Sequence, residues 1–128
     1  MKHKMLLVDD DKVMLQLLKK IFEKEYTVFT ACDGVEALHC LYNGIKPDVI
    51  VSDLIMENIN GYEFVKHLST SVVFSKIPVI ILSSMAQSEA SRMFPAVKTI
   101  SKPFDPLKLL SYINTKVLSA NTQIFSNN

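Results

Sequence analysis

The chain has 128 residues, 48% of them hydrophobic, and a formal charge of +1 from 14 basic and 13 acidic side chains. A chain of this length fits one domain that buries about two-thirds of its unfolded surface. Because the charges nearly balance, the chain lacks the basic stripe on which DNA affinity depends, and we expect no direct contact with nucleic acid.

Short runs rich in Val, Ile and Leu alternate with longer segments of helical period. This pattern is typical of βαβ units around a parallel sheet. The predicted strands lie near residues 5–8, 27–30, 49–52, 79–82 and 99–101.

Four longer helices are predicted between and after these strands. The first runs from Lys12 to Glu23 with Asp10 or Asp11 as its N-cap, and the second follows Asp33 and ends at Gly44, which supplies a left-handed residue. The third begins near Gly61, and the last starts at Asp105–Pro106. The predicted inward residues are Met14, Leu17, Leu18 and Ile21 in the first helix, Val35, Leu38 and Leu41 in the second, Phe64, Val65 and Leu68 in the third, and Leu107, Leu110, Ile113 and Val117 in the last.

The segment between Ser84 and Lys98 is rich in Ser, Ala and Gln, and Phe94–Pro95 would stop a helix early. We therefore expect a short, atypical fourth helix there, ahead of the last one. We predict one domain over residues 1–119 and a polar C-terminal tail or linker stub over residues 120–128.

The cysteines and the N-terminus bear on the compartment. Cys32 and Cys40 lack metal-ligand spacing, so we expect free thiols in a reducing compartment. The first apolar run is too short for a signal peptide, and no run approaches the ~18 residues of a membrane span. The expected location is the cytoplasm, without membrane contact.

Polar side chains stand where the apolar runs stop. An acidic run that includes Asp9 and Asp10 follows the first strand, Asp53 follows the third, Ser83 the fourth and Lys102 the last. Because the carboxyl ends of parallel strands meet at one edge of a sheet, we expect these side chains to share a crevice. Taken singly, each has a structural explanation as a cap, a turn or an exposed base, but their joint occurrence favours a site.

The predicted chemistry is phosphoryl transfer. A carboxylate can attack phosphorus to form an acyl phosphate if the surrounding negative charge is offset, and Mg²⁺ prefers such oxygen ligands. Two like charges ~4 Å apart cost on the order of 4 kcal/mol at an effective dielectric of about 20, so we expect a raised carboxylate pKa without metal and weaker metal binding in acid. An ammonium and a hydroxyl would hold the phosphoryl oxygens.

These residues resemble the receiver domain of two-component response regulators, of the chemotaxis-regulator kind. Six segments carry the resemblance and span nearly the whole chain: Leu6–Asp11, Asp33–Leu38, Pro47–Asp53, Gly61–Glu63, Ile77–Ser83 and Lys102–Phe104. The resemblance implies a flavodoxin-like α/β/α sandwich of three layers, with a five-stranded parallel sheet of order 2-1-3-4-5.

The resemblance also implies roles for the acidic residues. Asp53 is the phosphoacceptor, and Asp10 with Asp53 holds Mg²⁺. The backbone carbonyl of Ile55 is the third protein ligand, and Asp9 assists, for example through a water.

The remaining roles implied by the resemblance concern the phosphoryl group. Ser83 and Lys102 contact its oxygens, and Ser83 also acts as a switch residue. The bond between Lys102 and Pro103 is expected to be cis.

The chain departs from the family pattern at several positions. Thr99 stands at the second switch position, where the family has an aromatic residue, so the usual aromatic switch cannot operate. Met56 is followed by Glu57 rather than by Pro. Ile55 and Met85 are apolar at the two positions that flank the phosphoryl group, which predicts slow autodephosphorylation.

The implied function is acceptance of a phosphoryl group from a sensor histidine kinase or a histidine phosphotransfer domain, with an unidentified downstream protein as target and a monomer or weak dimer as the assembly. Leu15 and Phe22, on the flank of the first helix, either dock the kinase or pack against the last helix. The alternative is a pseudo-receiver that binds a protein without phosphorylation, which Thr99 favours and the complete site disfavours. A phosphatase or nucleotide enzyme lacks support, since no Gly-rich phosphate loop is present.

Overall fold

The computed structural model of the chain describes residues 2–54, 61–84, 92 and 97–126. These residues form five strands and four helices. The strands are β1 (His3–Val8), β2 (Tyr26–Ala31), β3 (Val49–Asp53), β4 (Val79–Ser83) and β5 (Lys98–Ser101). The helices are α1 (Lys12–Phe22), α2 (Gly34–Tyr42), α3 (Gly61–Thr70) and α4 (Pro106–Ser126).

The five strands form one parallel sheet of order β2-β1-β3-β4-β5, which confirms the predicted flavodoxin-like topology. The register aligns the carboxyl ends of the central strands. Asp53 lies beside Leu82 across the β3–β4 pair, and Ser83 lies beside Ser101 across the β4–β5 pair. The polar residues that end these strands are therefore placed along one edge of the sheet.

Alternate residues of each strand point to opposite faces, and in the central strands β1, β3 and β4 both faces are largely buried. Met5 and Leu7 of β1 pack with α1 and α4, whereas Leu6 and Val8 pack with α2 and α3. Such continuous apolar strands are typical of a parallel sheet that is covered on both sides.

Side-chain caps and one glycine set the helix ends. The Asp11 carboxylate accepts the backbone N–H groups of Val13 and Met14, at 3.0 and 3.1 Å, so Asp11 is the N-cap of α1. Gly44 has a φ of 99° just after α2 and is the predicted left-handed residue.

Three predicted inward residues are wrong. Leu17, Val35 and Leu107 are exposed. Each lies two residues from a residue of the same helix that is buried. The buried residues are Leu15 in α1, Ala37 in α2 and Leu109 in α4. Two residues turn a helix by about 200°, so such a residue points away from the sheet.

Leu15 and Phe22 are buried in the core between α1 and α4, where they pack with Leu109, Ile113 and Val117. Of the two explanations for this pair, packing against the last helix is therefore correct. The kinase-docking explanation is wrong for these two side chains because neither is accessible.

Several predictions concern residues at or beyond the limits of the description. Apart from Arg92, the predicted helix between Ser84 and Lys98 lies outside the described residues. The helix α4 runs past residue 119 to Ser126, and the domain boundary at residue 119 stays a prediction.

Both cysteines, Cys32 and Cys40, are free thiols. None of the helices within the described part of the chain is long and apolar enough to cross a membrane.

Candidate functional site

Three carboxylates meet at the carboxyl edge of the sheet. Asp9 follows β1, Asp53 ends the neighbouring β3, and Asp10 lies beside them, with one carboxylate oxygen of each within 4.8 Å of the others. Asp9 is 2% exposed and the Asp53 side chain 12%, while Asp10 is exposed. The structure thus brings together the three acids that the sequence singled out.

Neighbouring backbone orients Asp53. Its Oδ1 accepts the backbone N–H of Leu54 at 2.8 Å, and the Ser52 hydroxyl donates to the Asp53 carbonyl at 2.9 Å. The other carboxylate oxygen, Oδ2, lies 3.2 Å from the ammonium of Lys102. One side of the carboxylate is therefore fixed by the backbone, and the other faces a cation.

Lys102 enters the site through the end of β5. Its backbone N–H donates to the Ser83 carbonyl at 2.8 Å, and its bond to Pro103 is cis, as the resemblance implied. Its Nζ lies 3.2 Å from Asp53 Oδ2 and 3.7 Å from Asp9 Oδ2. A single ammonium is thus shared between two carboxylates.

Burial raises the pKa of Asp9, and the negative charges of Asp53 and Asp10 raise it further. The Asp11 N–H, which donates to Asp9 Oδ1 at 2.9 Å, and the Lys102 ammonium both lower that pKa, but they do not cancel the rise. The predicted rise of a carboxylate pKa is confirmed, but repulsion between like charges is not its main cause. The main cause is desolvation, because Asp9 is buried at the end of β1.

The donor set fits a hard divalent cation. Asp9 Oδ2 is buried and accepts no hydrogen bond from any residue that the structure describes. A buried carboxylate oxygen without a donor is costly, and a cation held by oxygen ligands removes that cost. Asp9, Asp10 and Asp53 are the described residues that would hold it, while Ile55, the predicted third ligand, lies outside the described residues.

Ser83 and Thr99 are buried on neighbouring strands. Since Thr99 is level with Ile81 and Ser101 with Ser83, the alternation along the strands places Thr99 on the same sheet face as Ser83. The position predicted as a switch thus holds a short β-branched side chain. Met85 lies outside the described residues.

Gly61 has a role that the sequence did not reveal. We expected it only as the start of a helix, but a Cβ built on Gly61 would overlap the carbonyl oxygen of Asp53 and the backbone of Leu54. The first residue of α3 therefore packs directly on the chain that carries Asp53. A glycine at the start of a helix was the available signal, although it does not identify the contact.

Asp9→Asn is expected to weaken Mg²⁺ binding by roughly 10–100-fold. This is the usual loss for a residue that contacts a bound metal through a water or another ligand. It is also expected to stabilise the metal-free fold at pH 7. Because the pKa of Asp9 is raised by folding, ionised Asp9 destabilises the folded state above its folded pKa, and the penalty disappears below the ordinary value of 3.8.

The stability gain should therefore shrink as the pH falls from 7 towards 4. Urea unfolding at several pH values and a Mg²⁺ titration followed by NMR measure both effects. The exposed Asp10→Asn is the matched control: it should weaken metal binding but stabilise the fold less than Asp9→Asn does, because the charge of Asp10 is the smallest of the effects that raise the pKa of Asp9. A stability gain that persists unchanged at pH 4 would contradict the burial argument.

Comparison with known proteins gives three kinds of match. The family model "Response regulator receiver domain" matches residues 5–114. The "Probable transcriptional regulator ycf29" of Pyropia yezoensis is 34% identical over 121 residues, and the match covers 91% of this chain and 54% of that protein. The "Response regulator SaeR" of Staphylococcus aureus is 33% identical over 114 residues, and the match covers 86% of this chain and 48% of that protein.

Among solved structures, the chemotaxis response regulator CheY4 of Vibrio cholerae superposes with a TM-score of 0.80 at 31% identity, and the match covers 91% of this chain and 99% of that one. The chain spans about half the length of the two curated relatives.

Proposed function

Because the chain belongs to the family of response regulator receiver domains, we propose that it accepts a phosphoryl group on Asp53 in a Mg²⁺-dependent reaction. The observation that carries the proposal is the position of the Lys102 ammonium, 3.2 Å from Asp53 Oδ2 beside two further carboxylates. The sequence argument for the pseudo-receiver alternative was Thr99, and neither the contacts of the described residues nor the comparisons add support to it.

In the proposed reaction, the Asp53 carboxylate attacks the phosphorus of a phosphohistidine. The new P–O bond forms as the P–N bond breaks, and the imidazole leaves with the bonding electron pair. The Leu54 N–H keeps the carboxylate oriented, and Lys102 neutralises charge on the transferred group. Bound between Asp10 and Asp53, Mg²⁺ would supply the remaining positive charge for the phosphoryl oxygens.

The proposed phosphodonor is a sensor histidine kinase or a histidine phosphotransfer domain. Its docking surface is α1, where Val13 and Leu17 are exposed one helical turn apart, next to the acidic run. These two side chains replace the buried Leu15 and Phe22 as the apolar contact. We further propose an unidentified downstream protein as the target, and a monomer or weak dimer as the assembly.

The readout is proposed to start at Ser83, which would donate its hydroxyl to the phosphoryl group. Because the buried side chain at position 99 is Thr, no ring is available to turn inward there. The conformational signal therefore has to pass through a smaller movement of β4 and β5.

Incubation of the full chain with acetyl phosphate, with and without Mg²⁺, tests the proposal. Intact-mass spectrometry is expected to show one phosphoryl adduct that requires Mg²⁺, and peptide mapping should place it on Asp53. No adduct, or an adduct on another residue, would contradict the phosphoacceptor assignment.

The phosphorylated chain is expected to lose its label slowly. Ile55 and Met85 are apolar and cannot orient an attacking water, so Ile55→Asn should hydrolyse several-fold faster than the wild type. Loss of label from the purified phosphoprotein in Mg²⁺ is the measurement. Rapid loss from the wild type, no slower than from the variant, would rule out shielding by these side chains.

A further inference from the structure

Two cavities lie at the edge of the sheet opposite the acidic site. One, of about 520 Å³, is bounded by the end of α2 and the segment that leads into β3, and the other, of about 380 Å³, lies between α3 and the start of β4. Phe74 and Ile77 line both cavities. We use the name Phe74 groove for this pair of cavities and their shared wall.

The groove is remote from Asp53. Its lining includes Pro47 and Pro78, which precede β3 and β4, whereas Asp53 and Ser83 end those strands. A five-residue strand spans about 16 Å, so binding in the groove would not obstruct the phosphoryl site.

The rim of the groove is unusually apolar for a solvent-exposed surface. Tyr42 is 65% exposed and Val73 77%, and the adjoining Val72 is 94% exposed. Clustered apolar exposure of this kind is typical of interaction sites. The cavity volumes fall within the range of protein ligand pockets, which is roughly 300–1,000 Å³.

Tyr42 is held in place before any partner arrives. Its ring packs edge-on against Phe74 at a centroid distance of 5.2 Å, and its hydroxyl shares a 2.9 Å hydrogen bond with His67 Nε2. A rim residue that is already fixed loses little side-chain entropy on binding.

The charge of the groove indicates what binds there. Lys46 lines one cavity and Lys76 the other, and none of the described lining residues is acidic. Two ammonium groups beside apolar cavities favour a ligand that combines apolar side chains with carboxylates, because complementary charge selects the partner while apolar burial supplies affinity.

We propose that the Phe74 groove docks an acidic amphipathic segment of a partner protein. Its apolar side chains enter the two cavities, and its carboxylates lie over Lys46 and Lys76. This interaction needs neither phosphorylation nor Mg²⁺, since it uses the other end of the sheet.

The probe is a synthetic peptide of about 14 residues with Leu and Phe at helical spacing and Glu at its polar positions, compared with a matched peptide that has Lys for every Glu. Titrated into the ¹⁵N-labelled full chain, the acidic peptide is expected to give saturable NMR shifts confined to the groove. The basic peptide should bind at least about tenfold more weakly, a difference of ~1.4 kcal/mol.

Charge reversal tests the role of the two lysines. The double variant Lys46→Glu, Lys76→Glu should lose at least about tenfold in affinity for the acidic peptide. The matched control is Lys108→Glu, Lys116→Glu, which makes the same charge change on α4, outside the groove, and should bind as the wild type does. Asp53→Asn should also bind normally, which separates this test from that of the phosphoacceptor.

Three results would overturn the proposal. The first is the absence of saturable shifts at the groove. The second is equal binding of the acidic and basic peptides, which would mean non-specific apolar contact. The third is a shift of the groove signals with protein concentration alone, which would mean that a second copy of the chain covers the groove.

Discussion

Asp53→Asn is expected to eliminate the phosphoryl adduct, and Lys102→Met to slow its formation by about a hundredfold. An amide is not a nucleophile towards phosphorus, so the first change removes the acceptor itself. The second keeps the acceptor but removes a cation 3.2 Å from it, and loss of one charge-stabilising donor typically costs 10²–10³-fold in rate. The measurement is the rate of adduct formation with acetyl phosphate and Mg²⁺, followed by intact mass.

Lys98→Met is the matched control for Lys102→Met. It removes an ammonium from the same strand region, but one that lies 5.4 Å from the centre of the Tyr112 ring rather than in the site. The control should phosphorylate at the wild-type rate. Thermal melts of all variants check that the fold persists. An adduct on Asp53→Asn would place the acceptor elsewhere, and equal rates for the two lysine variants would remove Lys102 from the chemistry.

Gly61→Ala is expected to destabilise the fold by about 3 kcal/mol, which is the cost of forcing an extra carbon into closely packed surroundings. The added Cβ would meet backbone atoms of Asp53 and Leu54, and backbone cannot rotate aside as a side chain can. For a domain of this size the melting temperature should fall by roughly 10 °C. Thermal and urea unfolding measure the loss.

Gly44→Ala separates crowding from backbone strain. Gly44 has a φ of 99°, but a Cβ there would meet no atom within 4 Å, so the change should cost only about 1 kcal/mol. If Gly61→Ala loses no more stability than Gly44→Ala, the contact between α3 and the Asp53 segment is not tight. Gly61→Ala is also expected to accept the phosphoryl group more slowly, because the backbone that the added Cβ would displace carries Asp53.

The sheet and the acidic site were predictable because both depend on local signals. A run such as Val49–Ser52 indicates a buried strand by composition alone, and a parallel sheet brings the ends of its strands together whatever the details of packing. The positions of Asp9, Asp53 and Lys102 at one edge therefore follow from strand order.

The features that the sequence did not predict depend on contacts between segments that are far apart in the sequence. Leu15 and Leu17 are the same residue type, two positions apart, and the packing of α1 against both the sheet and α4 determines which one is buried. The contact of Gly61 with Asp53 and Leu54 likewise exists only in the folded chain. The dominance of burial over like charge at Asp9 depends on how completely the neighbouring elements enclose it.

The first helix divides its apolar residues between two tasks. Its inward residues, Leu15, Leu18 and Phe22, belong to the core, where truncation of a large side chain costs 2–5 kcal/mol. Its outward residues, Val13 and Leu17, have no such role, and surface substitutions usually change stability by less than about 0.5 kcal/mol. On the proposed docking of the phosphodonor at α1, duplicated copies of such a gene can therefore diverge in partner choice through these two codons, while the core residues and the stability of the fold stay unchanged.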